Sequence, residues 1–339
     1  MKSMKRLLVT AFITILLSCN KEEIEQASLN EKTKEILICG TGWKNNGVVP
    51  TLWINKNSFN YETDGNYGRA DDMEIVGNDI YTVGYIYNID GISQRHVIWK
   101  NLKVITELTN IGFPFTYSIA VNKNNNDIFV VGSEQLPGEW AKAKIWKNGV
   151  STQLSNINGT LAFDIKINKN NVYVAGCLPI LNIDTAVIWT NGIPTFLTDG
   201  TNDAVATSIK IVDNDIYVAG TEKNSNGNRI AKYWKNGVAT NLTDGSNDAD
   251  VKIIEINENN IYVGGCEKNS NGKFVAKYWK NGVQTILNNN GQYSAVNSLA
   301  ILNNIVYATG SDGYDATLWQ NGYKYFSPVN CSFRKIIIK

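Results

Sequence analysis

Short apolar runs alternate with short polar ones along most of the chain, at lengths that suit strands and are too brief for helices. Residues 206 to 242 show the pattern. ATSIKIV (Ala206–Val212) alternates in part, and after Asp-Asn comes DIYVAG (Asp215–Gly220), apolar and β-prone. A polar loop leads to IAKYW (Ile230–Trp234), Lys-Asn-Gly follows, and VATNL (Val238–Leu242) ends the unit. The pattern predicts four strands. Asn-Gly between β-prone runs favours the positive φ angles of a type I′ turn, so YWKNGV reads as a strand end, a hairpin turn and a new strand.

That hexapeptide occurs at 233–238 and again at 278–283. Trp53, Trp99, Trp146, Trp189, Trp234, Trp279 and Trp319 each precede a related turn, at intervals of 40 to 47 residues. A fixed period of this size marks a propeller or a solenoid. A small twisted sheet whose second strand is apolar on both faces must be covered by neighbouring sheets. One tryptophan at the same place in each unit is expected to plug the space between adjacent sheets.

The ends supply a separate indication. Glu35-Ile-Leu-Ile-Cys-Gly40 matches the second strand of a unit and leads through Trp53 to Phe59-Asn-Tyr61, so the first strand is missing there. Arg334-Lys-Ile-Ile-Ile-Lys339 has the character of a first strand with nothing after it. Pairing the two fragments closes the ring without caps. The prediction is an all-β, seven-bladed β-propeller over 35–339, four strands per blade, the C-terminal strand joining three N-terminal ones. The repeat resembles β-propellers generally and those of exported bacterial proteins, without the Gly-His and Trp-Asp marks of the WD40 type. Such a fold carries no particular function.

Ahead of the repeats, Lys2, Lys5 and Arg6 precede an apolar run, Leu7–Leu17, whose eleven residues are too few to span a bilayer. Leu16-Leu17-Ser18-Cys19 follows, and it resembles the lipobox of bacterial lipoproteins. The resemblance implies a signal peptide over 1–18, diacylation of Cys19 and anchoring by more than one acyl chain. The polar stretch 19–34 then reads as a tether. Cys19-Asn20-Lys21-Glu22-Glu23 resembles a Bacteroidota-type signal for the outer face of the outer membrane, which implies a lipid-anchored, surface-exposed protein.

The chain has 32 Lys and Arg against 31 Asp and Glu. Without the three basic residues of the leader, 29 basic face 31 acidic ones and no basic run remains, which argues against nucleic acid as a partner. Four further cysteines, Cys39, Cys177, Cys266 and Cys331, have no zinc-ribbon or disulfide-framework spacing; a Cys39–Cys331 bridge is the one pairing that would lock the ring closure. A monomer is expected, and no cofactor.

Connections between strands two and three, and from strand four to the next blade, share one propeller face. Here they are the longer and more varied loops, so a binding site is expected among them. Trp43, Tyr85, Tyr87, Arg95, Trp140 and Tyr314 are the candidates, since aromatic rings beside polar groups suit stacking on a sugar or anchoring a protein. The leading expectation is therefore a binding or scaffold protein that recognises a glycan or an envelope protein. The alternative is a carbohydrate-active hydrolase or lyase using carboxylates such as Asp71 and Asp72 or Asp312 and Asp315. No nucleophile elbow, phosphate loop, histidine cluster or sialidase-type motif occurs. The single histidine, His96, stands where most units have Ala and reads as a packed residue rather than a base. The Leu-Thr-Asp-Gly-x-Asn-Asp-Ala stretches at 197–204 and 242–249 fit turns, with calcium ligation as the other possibility.

Overall fold

Twenty-eight strands and no helix make up the computed structural model, which describes residues 34–44, 47–88, 93–109, 112–287 and 293–339. The leader, Cys19 and nearly all of the tether lie outside the described residues. The strands form seven antiparallel four-stranded sheets. Blade 1 joins β28 (Ser332–Ile338) to β1 (Ile36–Lys44), β2 (Gly47–Ile54) and β3 (Asn57–Asn60). Blades 2 to 7 are each four consecutive strands, opening on the inner strands β4 (Gly68–Val76), β8 (Phe113–Val121), β12 (Leu161–Asn168), β16 (Ala204–Val212), β20 (Ala249–Asn257) and β24 (Ser294–Leu302). The seven-bladed propeller and its closure are as the repeat predicts.

The Asn-Gly turns have the required backbone: Asn236 lies at φ 51° and Gly237 at φ 82°. The asparagine has a second task. Its Oδ1 accepts the N–H of Ile216 across the blade at 2.8 Å, tying the third-to-fourth hairpin to the start of the second strand. Asn55, Asn101, Asn148, Asn191, Asn281 and Asn321 do the same to Ile36, Ile80, Ile128, Val172, Ile261 and Val306. This bond is why the repeat keeps Asn rather than any residue that tolerates positive φ.

The core lies between blades rather than within them. Seven apolar clusters fill the seven interfaces, and each contains one of the repeat tryptophans, all at most 3% exposed. Trp234 of blade 5, for example, packs on Ala175, Ala186 and Ile188 of blade 4. At the closure, β1 pairs with β28 from Ile36–Ile338 to Thr41–Ser332, and the two hydroxyls of the last pair are 2.7 Å apart. The Cys39–Cys331 bridge does not form, and all four described thiols are free. The two side chains face opposite ways: Cys39 belongs to the cluster between blades 1 and 2, whereas Cys331 packs on the one between blades 7 and 1.

Candidate functional site

Every inner strand carries one β-bulge, and all seven fall at the same register. In β4 the pairing runs from Ala70–Gly84 to Asp72–Val83 and leaves Asp71 out. The same step leaves out Tyr117, Phe163, Thr207, Lys252, Asn297 and, in β28, Arg334. The bulge accounts for the glycine that ends each IYVAG-like run. It pushes the carbonyl two residues upstream against the second strand, so that a Cβ on Gly220 would lie 2.0 Å from the Val205 oxygen and one on Gly132 1.8 Å from that of Phe115. Only glycine leaves room, and each second-strand glycine is thus the condition for the bulge beside it.

Those seven residues and the seven that follow them line a cavity of about 100 Å³ on the propeller axis. They sit towards the N-terminal ends of the inner strands, on the half that carries the varied loops. Two layers divide the work. The lower layer is Asp72, Ser118, Asp164, Ser208, Ile253, Ser298 and Lys335, and its aspartates and serines knit the inner strands together. Asp72 accepts Ile119 N–H at 3.0 Å, Asp164 accepts Ile209 N–H at 2.9 Å, and Ser208 and Ser298 accept those of Ile254 and Ile336 at 3.3 Å. Ser118 Oγ lies within hydrogen-bond distance of both Asp72 and Asp164, and Ser208 Oγ of Asp164.

Charge in this belt is balanced. Burial pushes the Asp164 carboxyl up, but Lys166 and Lys335 and the bonds from Lys166 and Ile209 outweigh it and hold it below the usual carboxylate range. Burial likewise opposes the charge on Lys335, yet Asp72, Asp164, Glu255 and Glu74 together hold its pKa well above the ordinary value. Beneath the belt a second cavity of about 310 Å³ opens among Glu74, Lys166, Lys210, Glu255 and isoleucines, and there Lys210 pairs with Glu255 at 2.6 Å.

The upper layer does not repeat. Around the axis from blade 1 it reads Arg334, Asp71, Tyr117, Phe163, Thr207, Lys252, Asn297. Tyr117 and Phe163 meet edge to face at 5.3 Å. Phe113 and Phe115 alternate with buried Pro114 and Thr116 on the same face of β8 as Tyr117, and all three rings are exposed. The aromatic wall on blades 3 and 4 therefore faces a polar one on blades 6, 7 and 1. Lys252 is paired with Asp250 at 2.8 Å, and Asn297 donates to the Phe333 carbonyl at 2.8 Å. Arg69 bonds Asp71 at 2.5 Å and lies over the Tyr85 ring at 5.0 Å. Burial holds the Asp71 carboxyl above its usual range despite Arg69 and Arg334. Arg334 is exposed to the cavity and has no carboxylate in ion-pair distance among the described residues. Partial enclosure and the nearby Arg69 charge lower its pKa.

The sequence-predicted residues are scattered over the same half of the molecule. Tyr85 and Tyr87 meet at 5.3 Å, and Tyr85 borders the axis through Arg69. Burial raises the Tyr85 hydroxyl to about 12. Arg95 is committed to Asp64 at 2.6 Å and Glu107 at 2.5 Å. Trp43, Trp140 and Tyr314 are exposed on blades 1, 3 and 7 and form no ring contact with one another. His96 is buried, its Nδ1 3.0 Å from the Thr116 hydroxyl; burial and Arg69 lower its pKa to about 4. Asp312 is engaged by Lys324 and pairs across a hairpin with Asp315. In the Thr-Asp-Gly stretches Asp199 and Asp244 accept the N–H two residues on, and Asp203 and Asp248 cap the backbones of Asp184 and Arg229. These oxygens do turn work. The upper layer was not singled out from the sequence, apart from Asp71, and its signal is the second-strand glycine that each bulge demands.

No family model matches the chain, and no curated protein does. Among solved structures it is similar to the acylaminoacyl peptidase of Pyrococcus horikoshii, at 12% identity in two crystal structures with TM-scores of 0.51 and 0.50. The first comparison covers 86% of this chain and 50% of that one, the second 85% and 49%. A puromycin-hydrolyzing peptidase of Mycobacterium tuberculosis is similar at 9% identity and a TM-score of 0.48, over 80% of this chain and 50% of that one. The chain thus spans about half the length of these proteins, and the likeness is one of fold.

Proposed function

We propose that this chain is a lipid-anchored cell-envelope protein, exposed at the surface of the outer membrane, that recognises a glycan through the loop-rich face and the axial well at its centre. The leader and Cys19 support the anchor. The observation that carries the recognition is the upper layer: one backbone position, presented seven times, holds aromatic rings on one side and polar groups on the other. Small wells that mix exposed aromatic area with a few placed polar groups suit sugar rings, which offer an apolar face and a polar edge. A hydrolase would need two available carboxylates across a cleft. Asp71 is bonded to Arg69, and Asp72 and Asp164 belong to the structural belt, so recognition is the reading that uses these residues as they stand.

The test is a glycan-array and envelope-extract screen of the purified full chain beside Tyr117→Ala/Phe163→Ala and Trp43→Ala/Trp140→Ala. Saturable glycan binding, lost with the first pair, is expected. Loss only with the second pair would move the site out to the rim loops and favour a protein partner. Binding to no glycan, or binding indifferent to both pairs, sinks the proposal.

A further inference from the structure

Arg334 is unlike the other charged groups around the axis. Arg69, Lys252, Lys210 and Lys166 each have a carboxylate within 2.8 Å, and Lys335 lies among four. Arg334 alone among these cations lacks one and yet reaches the cavity. A guanidinium so placed keeps its planar fork of donors available for a carboxylate. Its charge is also crowded by that of Arg69, which the attraction of Asp71 offsets only in part, and an incoming anion would ease that crowding further.

Position adds chemistry to charge. In a ring of seven, the bulge residue of blade 1 looks across the axis at those of blades 4 and 5, and Phe163 of blade 4 stacks edge-on with Tyr117 of blade 3. A ligand in the well meets aromatic faces on one side and, on the other, a cation with no direct ion pair among the described residues. The volume, about 100 Å³, suits a single ring carrying one small anionic group and excludes a helix or strand. We infer that the well selects an acidic sugar, its ring held against Tyr117 and Phe163 and its carboxylate bound by Arg334. This rests on the glycan reading and narrows it to uronate-type units.

The experiment compares uronate oligosaccharides with the same oligosaccharides after reduction of their carboxyls to alcohols, by calorimetry on the full chain. The acidic form is expected to bind at least tenfold more tightly, as a charge-assisted hydrogen bond implies, and high salt should weaken that form alone. Arg334→Gln should abolish the difference, and Arg334→Lys should restore part of it while confirming that the variant chain is folded. If acidic and reduced forms bind alike, the acid preference is overturned and glycan recognition stands. If the preference survives Arg334→Gln, its assignment to this residue is overturned. If a tetraglutamate peptide binds as tightly and with the same dependence on Arg334, the sugar part is overturned. Binding of neither oligosaccharide overturns this inference, and an empty array alongside it overturns the glycan reading as well.

Discussion

The tryptophan layer between the blades and the bulge layer around the axis are built on the same sevenfold repeat, and they use it in opposite ways. Between blades the side chain is constant: seven tryptophans enter seven equivalent clusters. At the bulge the backbone is constant and the side chain is different each time, from Arg334 and Asp71 to Phe163 and Asn297. Packing demands the first kind of uniformity, because each interface must exclude water with the same geometry. Nothing in packing demands the second kind of variety. A position whose backbone is held fixed while its chemistry changes is where a recognition surface can be composed on a rigid frame.

This contrast can be broken by experiment. Removing one plug should have the largest effect: Trp279→Ala should lower unfolding stability by about 3–5 kcal/mol, measured by denaturant titration at constant slope. A loss below 1 kcal/mol would mean that the interfaces do not carry the fold.

His96 tests an exception inside the constant layer. Other blades place Ala143, Ala186, Ala231, Ala276 or Ala316 at its position, three residues before the tryptophan. Its folded pKa of about 4 is depressed below the ordinary 6.5, so the unfolded chain takes up a proton between these values that the folded chain refuses. Stability contributed by the neutral ring is present above pH 6.5 and is lost as pH falls towards 4, by about 3 kcal/mol at 1.36 kcal/mol per pKa unit. Subtracting the pH profile of His96→Gln from that of the parent chain should isolate this slope from those of Asp71 and Glu74, whose raised pKa values act in the opposite sense. A flat difference would show that burial does not keep the ring neutral.

The smallest effect belongs to the variable layer. Arg334→Gln should change unfolding stability by no more than about 0.5 kcal/mol, because Arg334 makes no direct ion pair among the described residues and Asp71 keeps its bond to Arg69. A cost approaching that of Trp279→Ala would make Arg334 a structural residue and erase the distinction between the layers.

Most of the frame was readable from the sequence because it repeats. The Trp, the Asn of the turn and the apolar second strand recur at the blade period, and each proves to be a packing or hydrogen-bonding necessity. The closure was readable for the converse reason, since each end showed part of a blade. The upper layer was not, because residues that differ in every unit leave no trace in a periodicity. The aromatic residues that catch the eye in the sequence, Trp43 near the end of β1 and Trp140 and Tyr314 in loops, lie apart from one another, while Tyr117, Phe163 and Arg334 converge from β8, β12 and β28. Gly220 and its counterparts were visible as part of IYVAG, but their cause, a carbonyl 1.8–2.0 Å from where a Cβ would be, lies on the neighbouring strand.

The strand that closes the ring is the last in this sequence, and it completes a blade begun almost three hundred residues earlier. Bringing such distant segments together carries an entropic cost on the order of 5 kcal/mol from chain length alone, and contacts of this span form late in folding. That same strand delivers Arg334 to the upper layer and Lys335 to the belt beneath. A chain arrested or clipped before its final strand could stack six blades and still lack Arg334, the cation proposed to meet the ligand. Under the proposed reading, binding competence is coupled to completion of the circle, so that a partly made molecule would be silent rather than wrongly adhesive.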